Sequence, residues 1–410
     1  MATQPGHRSL WHHRDYMLLW SGQVVSTLGS AAAGIVYPLL ILAITDSPGA
    51  AGIAAALRSL PYLLFSLPVG ALIDRWDRKR VMIVCDILRA AALMALPAAM
   101  AFGVLSLWQI YLVAFVEGSL FVFFNLAEVA GLARVVAKED LARATAQNEA
   151  AFGAAQIAGP SLGTLLFQTL GRAAPFIANA LSFIVSALAL WKIRTSFRGP
   201  RPAGPPRALR HEIAEGLQWL WRQPLIRYMA GLTGAMNFVG AATPLLLIVL
   251  AKQLGASDGY VGLVFSIGGV GGIVGSLIGG RVQRRFSFGQ VVCGVCWALA
   301  LLFPLYALAP RFYLLGAVFA LICLLGPVYN VVQFSYRIAL IPDALQGRVN
   351  SSFRLIAFGF NPLGAALCGL LLETWGTRPT VALFAACHLA MAAVTQFNPH
   401  VRHAQPVATR

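Results

Sequence analysis

The sequence predicts an all-α membrane protein, with twelve transmembrane helices in two six-helix bundles related by a pseudo-two-fold axis. Three observations predict it. Of the 410 residues, 58% are hydrophobic and only 11% are charged, whereas soluble domains are about 25% charged. The apolar residues gather into runs of about 20, the length that crosses a bilayer core. The second half of the chain also repeats features of the first at an offset near 205 residues.

Taken in order, the apolar runs place spans at roughly 16–43, 51–73, 81–102, 108–134, 146–170 and 174–192 in the first half. In the second half they fall at roughly 226–251, 259–280, 289–309, 312–337, 351–372 and 379–396. The eleventh run is interrupted by Arg354, Asn361 and Pro362, and the twelfth is short. Residues 1–15 are polar and basic, with no small-residue cleavage site after the first run, so that run reads as a retained span.

Positive charge sets the orientation. One set of connections carries Arg8 and Arg14, then Arg75 to Arg80, then Arg134, Lys138 and Arg143. It continues with the 194–222 segment, Arg281 to Arg285, Arg337, Arg348 and Arg402. The alternate connections carry Arg172, Lys252, Arg311, Arg378 and little else. Lysine and arginine beside spans remain inside, so both termini are expected in the cytoplasm and the number of spans is even. The formal charge of +16 therefore reflects topology. Nucleic-acid binding would concentrate it on one soluble module.

The basic segment 194–222 divides the chain into an N-terminal bundle (1–193) and a C-terminal bundle (223–410). Residues 198–206 are rich in Pro and Gly and read as irregular. Ile213, Leu217, Leu220 and Trp221 then recur at helical spacing, predicting a short amphipathic helix on the inner membrane surface. Across this linker, Gly34 to Leu40 aligns with Gly240 to Leu246, and Phe124-Asn125 with Tyr329-Asn330. Arg143 and Gly159 align with Arg348 and Gly364. Duplicated halves imply a site near the midplane between them and alternating access to it.

Ionisable residues at membrane depth need a partner or a water-filled cavity, so each is a candidate for function. Arg58 and Glu117 come out at the same depth to within roughly 3 Å, and Arg89 and Glu128 match nearer the inner side. The expected pairs are Arg58–Glu117 and Arg89–Glu128, with Asp86 and Arg89 also on one helical face at i,i+3. Structural glue and proton exchange are both open readings. The second favours Glu117 and Glu128, which are eleven residues apart and share a face of the fourth span. The sequence leaves open whether desolvation or a neighbouring arginine governs the carboxyl. Asn125 and Asn330, at equivalent positions, are candidates for substrate binding together with Gln333; the polar positions Gln23, Thr27, Thr233 and Asn237 of the first and seventh spans are further candidates. The alternative for all of these is interhelical hydrogen bonding.

The segment Gly70-Ala-Leu-Ile-Asp74-Arg75-Trp-Asp-Arg78-Lys79-Arg80, between the second and third spans, resembles the loop motif of the major facilitator superfamily. Leu60-Pro61, Asp86-x-x-Arg89, Asp140-Leu-Ala-Arg143-Ala and Gly159-Pro160 narrow the likeness. With Arg222-x-Pro224-Leu225, they are similar to the branch of enterobactin exporters and macrolide-efflux-type permeases. The resemblance implies a secondary transporter of a bacterial inner membrane that exports a small amphipathic compound, drug-like or siderophore-like, with the proton as coupling ion. It also implies a latch of Gly70, Asp74, Arg75 and Arg78 that meets the eleventh span and stabilises the outward-open state. Two departures stand out. Gln283 replaces the acid in the second copy of the loop, so the latch is expected to be single. The fourth span also has Ala114-Phe-Val-Glu117-Gly118 where many proton-coupled relatives have Arg-x-x-Gln-Gly.

An importer or uniporter of the same fold is the alternative. A membrane subunit of an ATP-driven exporter is disfavoured, because none of the four lysines follows a glycine and no phosphate loop exists. An enzyme is not expected: there is no His-Glu-x-x-His, and His388 stands alone at depth. Cys293-x-x-Cys296 has no second pair beside it, so neither a metal nor a cofactor is expected. The glycines from Gly268 to Gly280 read as a surface for close helix packing. The chain is expected to be a monomer in the bilayer.

Overall fold

The structure is a computed structural model that describes residues 10–73, 75–197, 209–342, 345–402 and 404; for 71, 138, 142 and 209–213 only the backbone is described. The first six spans are α1 (Arg14–Thr45), α2 (Pro48–Ile73), α3 (Arg78–Ala101), α4 (Leu107–Val135), α5 (Leu141–Thr169) and α6 (Ala174–Lys192). The linker helix is α7 (Leu209–Arg222). The second half contains α8 (Pro224–Gln253), α9 (Asp258–Arg285), α10 (Phe288–Leu302) with α11 (Leu305–Leu308), and α12 (Phe312–Leu340). It closes with α13 (Gln346–Gly359), α14 (Asn361–Thr374), α15 (Thr377–Phe397) and the short α16 (Pro399–Arg402). The described residues hold 12 spans long and apolar enough to cross a membrane, and no strand.

Local chemistry explains where the helices begin and break. Asp77 accepts a hydrogen bond from the Arg80 amide at the start of α3. Ser106 and Ser287 form reciprocal capping boxes with Gln109 and Gln290 at the starts of α4 and α10. The eleventh span is two helices because Pro362 occupies the first turn of α14 and has no amide to continue α13. The ninth breaks in the same way at Pro304. The exterior is apolar: Leu277, Leu301, Trp108 and Trp191 are each more than two-thirds exposed, as lipid-facing side chains are.

Glycine sets the closest packing. A methyl on Gly271 or Gly275 of α9 would overlap the carbonyl oxygens of Ala320 and Leu324 on α12. On its other side α9 meets α5, where Gly262 leaves room for Thr164 and Gly269 for Ile157. The linker is tied to both halves. Asp15 accepts from the Thr195 and Arg194 amides at 2.8 and 3.1 Å. In α7, Glu215 pairs with Arg348 at 2.6 Å, and Gly216 lies against the Arg348 carbonyl. Leu220 is buried while Leu217 and Trp221 are exposed, so this helix packs only part of its apolar face against the protein. Ile213 and the Pro-rich 198–206 segment lie outside what is described for side chains and backbone respectively.

The two halves touch in a directional way. At the end of the molecule opposite the termini, the far end, α2 crosses α14 with Gly52 against Gly369. There α5 also follows α9 from Gln168 opposite Gly259 to Ile157 opposite Gly269. Ser161 and Ser266 share a hydrogen bond of 2.7 Å on this seam.

Candidate functional site

Where the halves part, they enclose a cavity of about 890 Å³. Gln23 and Thr27 of α1, Asn125 and Glu128 of α4, and Glu149 and Gln156 of α5 line its polar wall. The second half presents Pro244, Ile248, Phe265, Gly269, Phe319 and Cys323 across from them. Leu141 and Thr145, in the first turn and a half of α5, also line it. The cavity therefore runs from the sealed far end to the end that carries the termini. Aromatic rings of Trp20, Phe121, Phe124 and Phe152 alternate with the polar groups.

Four charges are stacked behind the wall. Arg58 Nε lies 3.2 Å from Glu117 Oε2, and Arg58 Nη2 lies 3.4 Å from Glu117 Oε1. Gly118 makes this possible, because any Cβ there would overlap the Arg58 carbonyl and force α2 away from α4. Arg89 lies 3.6 Å from Glu117 and 3.9 Å from Asp86, with its guanidinium 3.8 Å from the centre of the Phe183 ring. Glu117 is 1% exposed and Asp86 is fully buried, so both acids reach the cavity only through the arginines. The quartet is formally neutral. Buried charges tolerate membrane depth on such terms.

The expected Arg89–Glu128 pair does not form. The Arg89 guanidinium also lies beside the rings of Phe121 and Phe124, the level of α4 just past Glu117. Glu128 is four residues further along, about 6 Å nearer the termini. Estimating depth from apolar run ends set Arg89 level with Glu128, whereas its acidic partner on α4 is Glu117, eleven residues earlier. Glu128 and Glu149 make no ion pair and no hydrogen bond among the described residues. The unpaired charges facing the cavity are thus negative, although the chain as a whole is strongly positive.

The candidate binding residues divide by half. Gln23, Thr27 and Asn125 line the cavity. Asn237 instead donates to the Ala357 carbonyl at 2.8 Å, and Thr233 shares a hydrogen bond of 2.7 Å with the Tyr329 hydroxyl. Gln333 is buried at 4% exposure and Asn330 is exposed; neither lines the cavity, so the two polar stripes do not face each other across it. In the loop, Asp74 lies outside the described residues. Gly70 has open space where a Cβ would stand. Arg75 is exposed, Arg78 donates to the Ala130 carbonyl at 3.4 Å, and Lys79 donates to the Ile193 carbonyl at 2.6 Å. These described bonds stay within the first half. Sequence reasoning did not single out Trp20, Asn148, Glu149 or Gln156. The signal for the last three was a run of polar residues early in the fifth span.

A family profile described as transmembrane secretion effector, within the major facilitator superfamily, matches residues 9–409. The chain belongs to that family. Its relatives include the multidrug efflux pump Tap of Mycolicibacterium fortuitum, 28% identical over 94% of this chain and 96% of the relative. Macrolide efflux protein A of Streptococcus pyogenes is 24% identical over 90% of this chain and 91% of its own length. Among solved structures, a bacterial homologue of the iron transporter ferroportin in an inward-facing state superposes with a TM-score of 0.75 at 17% identity, covering 95% of this chain and 99% of that one. The major facilitator fold is therefore shared. As a family member the protein is a multi-pass membrane transporter and not an enzyme.

Proposed function

We propose that the protein is a proton-coupled efflux transporter that works by alternating access and exports small amphipathic compounds across a bacterial inner membrane, with both termini in the cytoplasm. One observation carries the reading. A cavity large enough for a drug-sized molecule lies between the halves, sealed at one end and open at the other. With the termini inside, as the charge bias requires, the cavity faces the cytoplasm, from which an exporter must load. The two relatives named above are efflux proteins, which supports the direction. Aromatic walls suit an amphipathic ligand, and the polar positions Gln23, Asn125 and Glu128 supply orientation. Glu128 would exchange the proton: it lines the cavity without a cationic partner and is half-buried, whereas Glu149, also unpaired there, is exposed. Glu117, held by two arginines, is the structural member. The loop of Gly70, Asp74, Arg75 and Arg78 would engage when the cytoplasmic side closes.

The test is export of a panel of lipophilic antibiotics and dyes from a pump-deficient bacterial host, repeated in vesicles with an imposed pH gradient. Accumulation should fall on expression and recover when the gradient is collapsed. Export that persists without a gradient and requires ATP would sink the reading.

A further inference from the structure

We infer that Glu373 and Gln168 are a matched pair of positioning residues that hold the far end shut, each by capping the first turn of a helix in the opposite half. The inference rests on the alternating-access reading only for its consequence, since the contacts themselves are described geometry.

Glu373 is in the last turn of α14. Its Oε2 accepts from the Gly49 amide at 2.7 Å and from the Ser47 hydroxyl at 2.6 Å, at the start of α2. Ser47 Oγ in turn accepts from the Ala50 amide at 3.0 Å. Gln168 is in the last turn of α5, and its Oε1 accepts from the Gly259 amide at 3.0 Å, at the start of α9. Pro48 and Asp258 open their helices, so Gly49 and Gly259 are each the second helical residue. Amides there have no acceptor within their own helix. Opening the far end would return both to water.

The two contacts are one contact repeated. Gln168 and Glu373 are 205 residues apart, the spacing that relates the halves, and Ser257-Asp258-Gly259, 210 residues after Ser47-Pro48-Gly49, opens the helix equivalent to α2. Both second positions are glycine for a spatial reason. A Cβ on Gly49 would overlap Glu373 Oε2, and one on Gly259 would stand 2.7 Å from Gln168 Oε1. The copies differ in charge. A carboxylate at a helix N-terminus is favoured by the helix dipole, and a neutral amide is not. The Glu373 cap is therefore the stronger of the two.

The experiment uses the full chain in lipid nanodiscs with the six native cysteines replaced. Spin labels are placed through Leu170→Cys and Tyr260→Cys, two exposed positions flanking the Gln168 contact. A second pair, Ile53→Cys and Leu370→Cys, reads the other side. Pulsed electron–electron distances give the ratio of closed to open far ends. Loss of a capping side chain shifts such an equilibrium by about threefold or more. Glu373→Ala should therefore lower the ratio by about threefold, and Glu373→Ala with Gln168→Ala by about tenfold. Glu373→Gln, which copies the other half, should stay within about twofold of the parent. Gly49→Ala should act like Glu373→Ala and add little to it. Unchanged distances in both Glu373→Ala and Gly49→Ala would overturn the inference. So would a Glu373→Gln variant as open as Glu373→Ala. The single variants read the same question if the double variant fails to fold. Because no substrate or gradient is present, failure of the caps and failure of the transport reading give different results.

Discussion

Glu117 and Glu128 lie on the same face of α4, eleven residues apart, yet their surroundings assign them opposite tasks. Glu117 is buried between two guanidinium groups, whereas Glu128 faces the cavity with no partner. Removing one member of a buried ion pair leaves the other uncompensated, at a cost of about 3–5 kcal/mol. Glu117→Gln is thus expected to destabilise the protein by about 3 kcal/mol, read as earlier thermal unfolding in detergent. Glu128→Gln should change stability by less than about 0.5 kcal/mol while abolishing the response of transport to a pH gradient in vesicles. A Glu128→Gln protein with unaltered gradient dependence would remove that residue from coupling. The sequence identified both acids and the Arg58 partner, because depth can be counted along a helix. It did not identify the true partner of Arg89. That choice depends on the rings of Phe121, Phe124 and Phe183, which converge from two helices only after folding.

At the level of the helix, α9 is closely approached on two sides. It presents Gly271 and Gly275 to α12, and Gly262 and Gly269 to α5, so it is the element through which the halves meet on one side. Overpacking a site of this kind costs about 1–3 kcal/mol. Gly271→Leu should destabilise by at least that much and reduce the yield of folded protein. Gly280→Ala, where nothing lies within 4 Å, should be neutral or slightly stabilising, because alanine favours a helix over glycine by about 1 kcal/mol. Equal melting temperatures for the two variants would contradict the packing. The glycine run was legible as a smooth surface and the break at Pro362 as a proline, whereas the ninth run read as continuous through Pro304. Which helices the smooth surface receives was not legible, since a glycine pattern records close approach without naming the neighbour.

For the whole molecule, the decisive feature is the asymmetry between its ends. In a background without native cysteines, a cysteine at Thr145, on the cavity wall, should react rapidly with a water-soluble maleimide. One at Ser266, on the seam with Ser161 and the Ile157 carbonyl, should react slowly. Similar rates would show that the far end is not the sealed one. If the loop latch operates, Asp74→Asn should shift the population further towards this form, open at the end that carries the termini, and raise labelling at Thr145. Unchanged labelling would argue that the loop serves topology alone.

The sequence by itself determined the membrane class, the twelve spans and the repeat that relates the halves. All three follow from one-dimensional facts: composition, run length and an offset near 205. It also marked most of the ionisable residues at depth, because such residues are rare in apolar runs. Only the tertiary structure decided which polar positions share a cavity. Gln23 and Asn125 do, while Asn237 bonds within its own half, Gln333 is buried, and Asn330 is exposed away from the cavity lining. It alone decided that Arg89 joins Glu117, and that Gln168 and Glu373 reach across to the opposite half. The reason is physical. A helix sequence specifies which faces are apolar or polar, but the rotation of each helix and the end at which two bundles close are set by packing between chain segments about a hundred or more residues apart.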